Sequence, residues 1–73
     1  YQNREKELYE YLSNREFEIL KMIAKGKKIK SIAKELSISP KTVSTFRGRI
    51  LKKMNMQSTS NIIYYAIENN LSD

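Results

Sequence analysis

SIAKELSISPKTVSTFRGRILKKM, residues 31–54, reads as a short amphipathic helix, a tight turn at Ser37-Ile38-Ser39 and a longer helix led by Pro40. Ile32, Ala33 and Leu36, together with the preceding Ile29, follow the i, i+3, i+4, i+7 spacing of one buried helical face. Ser39 can accept the amide hydrogen bonds of the next helix, and Pro40 suits its first turn, where a missing N–H costs nothing. Lysine and arginine crowd this second helix, with small hydroxyl residues between them. Two helices joined by a short turn, the second one basic, form the shape that places a helix in the DNA major groove.

The 3.6-residue period sorts the longer helix into two faces. Val43, Phe46, Ile50, Leu51 and Met54 fall in one arc, toward a core. Lys41, Thr45, Gly48, Arg49 and Lys52 fall opposite, flanked by Thr42 and Ser44, and no large apolar side chain interrupts them. Arg47 belongs cleanly to neither arc. Its two expected fates are a phosphate or a carboxylate on the first helix. Gly48 either lets the backbone come close to a base edge or is simply the loss of a side chain.

Outward from this segment the chain predicts two more helices. Ser13-Asn14-Arg15-Glu16 is a capping box, with Leu12 placed to staple against Phe17. Ile19, Leu20, Ile23 and Ala24 continue that helix, and Gly26 ends it in the left-handed conformation. No good N-cap residue precedes the helix from Ile29 to Leu36. After Asn55, Ser58 caps a fourth helix carrying Ile62, Ile63, Tyr65, Ala66 and Ile67, which Asn69-Asn70 end. The expected fold is all-α, a four-helix domain with a central helix-turn-helix. Residues 12–73 form the domain, and 1–11 are the end of an interdomain linker, partly helical, with Leu8, Tyr11 and Leu12 as its apolar side. The non-methionine start, Tyr1, suggests a domain cut from a larger protein.

Charge is segregated along the chain. Of a net +6, the segment Lys25–Lys53 carries ten basic residues against the single acid Glu35, and the flanks are net negative. Such a concentrated field has a polyanion as its natural partner. Seventy-three residues bury only about 60–65% of the unfolded surface, so the core is small. Cysteine and histidine are both absent, which removes disulfides, thiolate metal sites and the commonest general base. No catalysis, metal or cofactor is expected. No apolar run reaches membrane-spanning length and no signal peptide opens the chain, so the expected location is the cytoplasm.

The stretch LSNREFEILKMIAKGKKIKSIAKELSISPKTVSTFRGRILKKMNMQSTSNIIYYAIENNL, residues 12–71, resembles the LuxR/NarL-type helix-turn-helix domain of bacterial transcription regulators. The Leu-Ser-Asn-Arg-Glu opening, the Ala-Lys-Gly stop, Ile-Ala-Lys-Glu-Leu and Ile-Ser-Pro-Lys-Thr-Val occur in the family's order. Departures stand at Ile29, Ser37, Phe46, Ser44 and Asn55, where the family often has asparagine, glycine, histidine, a basic residue and glycine. The resemblance implies a sequence-specific transcription factor acting as a homodimer on double-stranded DNA through its fourth helix. It also implies a missing N-terminal regulatory domain, best matched by the receiver of a two-component response regulator, with RNA polymerase as a further partner.

Sorted by role, Ser44, Thr45, Gly48 and Arg49 are expected against base edges. Lys28, Lys30, Lys41, Thr42, Arg47 and Lys52 are expected on phosphates. Ile63, Tyr64 and Ile67 are the expected dimer contact. The alternatives are a sigma-factor-like promoter-reading module, which does not need the helix after Ser58, and a protein-interaction domain, which leaves the basic segment unexplained.

Overall fold

A computed structural model describes residues 7–71 of the chain. Four α-helices follow a 3-10 turn at Leu8–Tyr11: α1 (Asn14–Ala24), α2 (Ile29–Leu36), α3 (Pro40–Lys53) and α4 (Thr59–Glu68). No strand occurs among the described residues. The all-α fold expected from the periodicity is the fold observed.

Each helix starts and stops where local chemistry dictates. At α1 the Ser13 hydroxyl accepts the Glu16 N–H at 3.1 Å, and the Glu16 carboxylate accepts the Ser13 N–H at 2.8 Å. Gly26 then takes a φ of 86°, and the Lys27 N–H reaches back to the Met22 carbonyl, satisfying an orphan acceptor of the last turn. α3 opens with the Ser39 hydroxyl accepting the Thr42 N–H at 3.0 Å, with Pro40 behind it. At the start of α4, the Asn61 side-chain oxygen accepts from both the Ser58 N–H and the Ser58 hydroxyl.

Three described residues other than glycine stand in the left-handed region, Ser37, Asn55 and, after α4, Asn70 with φ 56°. Ser37 has φ 59° and Asn55 has φ 56°, the two turn positions where the family often has glycine. Asparagine visits this region at modest cost, whereas serine has less compensation. Relief of that strain outweighs the greater flexibility that glycine gives the unfolded chain. Ser37→Gly is therefore expected to stabilise the domain by up to about 1 kcal/mol. A denaturation midpoint that fails to rise would show that the turn holds no strain.

The core is one cluster. Ile19, Leu20 and Ile23 of α1 meet Ile32 and Ala33 of α2, Val43, Ile50 and Met54 of α3, and Ile62 and Ala66 of α4, all buried. α1 packs on both α3 and α4, and α2 packs on α3. α3 is therefore held along one side, as its two-faced pattern requires, and its other side is left to solvent.

The segment before α1 differs from expectation. Residues 1–6 of the proposed linker lie outside the described residues, as do 72–73 of the domain. Leu8 and Tyr11, expected on the apolar side, are 39% and 53% exposed. Tyr9 packs inward instead, its ring 5.5 Å from that of Phe17 and its N–H donating to the Tyr65 hydroxyl at 3.3 Å. The cause is the tighter 3-10 turn, whose side chains align every three residues rather than every 3.6. Leu12 and Phe17 are both partly buried against the core, where a staple places them.

Candidate nucleic-acid interface

The outer face of α3 is as the wheel drew it: Lys41, Thr42, Ser44, Thr45, Gly48, Arg49 and Lys52 are all exposed. Its opposite side is fixed by the buried Val43, Ile50 and Met54, so the helix cannot rotate to hide these groups. Thr45 donates its hydroxyl proton to the Lys41 carbonyl at 3.1 Å. What it turns outward is therefore its methyl group and an acceptor oxygen. The Arg49 guanidinium lies 5.5 Å from the centre of the Phe46 ring. That stack holds the planar group in place while leaving its fork of donors available. A methyl group built on Gly48 would meet no atom within 4 Å. Packing within the chain gives no reason for glycine there.

The electrostatics favour an external anion. The ion pairs among the described residues are Arg15–Glu18 at 3.4 Å, Lys27–Glu35 at 2.5 Å and Lys53–Glu16 at 2.8 Å. None involves Lys28, Lys30, Lys41, Arg49 or Lys52. These five cations keep their full charge toward solvent.

Arg47, for which sequence left a phosphate or an α1 carboxylate open, meets Thr59 of α4 within the chain. The carboxylate alternative fails, because Glu16, the buried acid of α1, is already taken by Lys53. Arg47 is half-buried instead, donating from Nη1 to the Thr59 hydroxyl oxygen at 3.2 Å. Its inward angle on α3 leads to the first residue of α4, a contact that separation of 12 in sequence concealed.

Sequence reasoning also missed Lys53 as a structural partner. Burial pushes the Glu16 carboxyl up, yet the Lys53 ammonium and the Ser13 amide together hold it below the usual glutamate value. The capping box announced half of this site, and nothing local announced the lysine. On α4, Tyr64 and Ile67 are 65% and 60% exposed, and Ile63 is half-buried beside them.

The sequence profile of the bacterial regulatory proteins of the luxR family matches residues 10–66, more than three quarters of the chain and all of the helix-turn-helix. The chain belongs to the luxR family. Response regulator UvrY of Escherichia coli is 40% identical over 60 residues, covering 82% of this chain and 28% of that protein. The oxygen regulatory protein NreC of Staphylococcus carnosus is 42% identical over 65 residues, 89% of this chain and 30% of its own length. BvgA of Bordetella pertussis, named for regulating virulence factors, is 43% identical over 65 residues, 89% of this chain and 31% of BvgA. The luxR-family domain thus spans under a third of each of these relatives. Its function is that of the DNA-binding effector domain of a transcription regulator, which agrees with the acid-free outer face of α3. No helix among its described residues is long and apolar enough to cross a membrane.

Proposed function

We propose that this domain reads a specific DNA sequence by laying α3 in the major groove, as the effector domain of a two-component response regulator. The observation that carries this reading is the outer face of α3, which is exposed, free of carboxylates, and presents Arg49 already stacked on Phe46. Ser44, Thr45, Gly48 and Arg49 lie against base edges, with Arg49 giving a bidentate contact to guanine. Lys28, Lys30, Lys41, Thr42, Arg47 and Lys52 hold phosphates, and set the register of the helix on the duplex.

Residues 12–73 are the reading unit, with 1–11 as the tether to an N-terminal receiver. The relatives, of which this chain matches under a third, support that arrangement. Ile63, Tyr64 and Ile67 form the contact between two copies on adjacent half-sites, since so small a domain reads few base pairs alone. The protein acts in the cytoplasm, contacts RNA polymerase at promoters and carries out no catalysis.

Selection of bound sequences from a random duplex pool tests the reading directly. It is expected to return two half-sites about one helical turn apart. Arg49→Ala then relaxes the preference at one base pair, by about 1–3 kcal/mol of discrimination. A loss of affinity spread equally over all sequences would reduce Arg49 to a phosphate contact. Lys41→Ala and Lys52→Ala each lower the salt slope of binding by about one unit and leave the selected sequence unchanged.

A further inference from the structure

Arg47 is the residue of α3 that reaches α4. Its Nη1 donates to the Thr59 hydroxyl oxygen at 3.2 Å, and no other side-chain hydrogen bond or ion pair joins these two helices among the described residues. α3 and α4 each pack on α1, and neither is the other's main support. An open cavity of about 500 Å³ lies beside the bond, with Ile23, Ile29, Arg47 and Thr59 in its wall. Little else therefore fixes the start of α4 against α3. We infer that Arg47 is a positioning residue, holding α4 at a set angle to the recognition helix and thereby setting the half-site spacing that a dimer reads. The inference rests on the α4 dimer proposed above.

The helical repeat puts this grip on the side of α4 that carries the proposed contact. Thr59, Ile63 and Ile67 stand at i, i+4 and i+8, one stripe along the helix. Thr59 and Ile63 are half-buried and Ile67 is exposed, so one end of the stripe is held while the other is open to a second copy. On α3, Arg47 stands between Phe46, on which Arg49 stacks, and Gly48 of the outer face. One side chain thus spans from the helix that reads bases to the stripe that meets the partner copy.

The inward pose of the arginine is unfavourable taken by itself. An arginine on the flank of a helix can extend into water and satisfy all of its donors. Here Nε is buried without a partner, the one such side-chain nitrogen or oxygen among the described residues. A buried donor left unmet calls for a reason, and no outside ligand reaches this atom. The rigid planar fork supplies one. With Nε fixed in the interior, Nη1 is aimed at Thr59, while Nη2 is neither bonded within the protein nor buried and remains for the phosphate proposed above. A lysine, with one ammonium on a flexible stem, could not hold both directions at once.

The test substitutes the acceptor and leaves the arginine alone. Thr59→Val removes the hydroxyl, keeps the shape of the side chain and alters no residue proposed to meet DNA or the second copy. In the free protein, residual dipolar couplings of the α3 and α4 amides report the angle between the helices. That angle is expected to shift in Thr59→Val and to return in Thr59→Ser, which keeps the acceptor. On DNA, affinity for a duplex with a single half-site is expected to stay within about twofold of the parent. The preference for the selected spacing over duplexes with half-sites moved apart by a base pair should fall roughly three- to tenfold, as the loss of one hydrogen bond to a charged group allows. In an Arg47→Met background, Thr59→Val should leave the spacing preference where it was.

If Thr59→Val does not fold by circular dichroism, Thr59→Ala carries the same measurements. An unchanged angle between the helices overturns the inference, whatever DNA binding shows. An equal loss of affinity for single and paired half-sites overturns it too, and makes the bond a packing contact only. A parent chain that binds paired half-sites no better than single ones, at any spacing, overturns the α4 dimer and the spacing with it. The angle between the helices then decides alone whether Arg47 positions α4.

Discussion

Ile50→Ala is expected to destabilise the domain by about 2–5 kcal/mol and to remove measurable DNA binding at ordinary concentrations. Ile50 is fully buried on the inner side of α3, in the one cluster to which all four helices contribute. Truncation loses the transfer energy of the removed atoms and leaves a cavity that neighbouring isoleucines cannot collapse into fully. A domain of this size has on the order of 4–10 kcal/mol of stability in all, so the variant stands at the edge of unfolding. The loss of binding is then a population effect, and raising the DNA concentration restores it by mass action. Urea denaturation should show a lower midpoint with an unchanged slope, and Ile50→Val should cost only about 0.5–1.5 kcal/mol. The neighbouring Arg49→Ala separates the two roles of the helix, since an exposed substitution stays within about 0.5 kcal/mol of the parent. An Ile50→Ala variant with the parent's midpoint would mean the core tolerates a gap on the recognition helix.

What could be read from the sequence follows how local each signal is. The capping box at Ser13 and Glu16, the Ser39-Pro40 start and the Ile29–Leu36 stripe each depend on residues three or four apart. All three appear in the structure at the expected positions. The division of α3 into core and groove faces was legible for the same reason, because a helix repeats regularly whatever surrounds it.

The failures are contacts between distant residues or departures from the α-helical period. Tyr9 turns inward through a hydroxyl 56 positions away and a turn of period three, so Tyr11 was the wrong tyrosine. Arg47 lies at an angle between faces, and only the position of α4 shows what it meets. Gly48 remains as sequence left it in one respect: the fold does not require it. That absence of a packing reason is what moves its explanation toward the groove.

Glu16→Ala is expected to cost about 2–3 kcal/mol at neutral pH, because one carboxylate oxygen accepts from both the Ser13 N–H and the Lys53 ammonium, each at 2.8 Å. The cost stays below that of breaking a wholly buried ion pair, since the partner lysine is half-exposed and returns to water. Acid should reproduce the loss. The folded state holds the Glu16 carboxyl below its ordinary value, so the contribution is complete above about pH 4.3 and disappears as pH falls through the folded value. Stability measured between pH 6 and pH 3 should therefore decline in the parent, and the decline should be shallower in Glu16→Gln, which keeps an acceptor for Ser13. Lys53→Met gives the sharper contrast. It leaves the burial of Glu16, the largest single influence on its proton, without the ammonium that overcomes it. That variant should lose more stability at pH 7 than at pH 4, and adding Glu16→Gln should recover part of the neutral-pH loss. Equal losses at the two pH values would show that Lys53 acts through the packing of its stem and not through its charge.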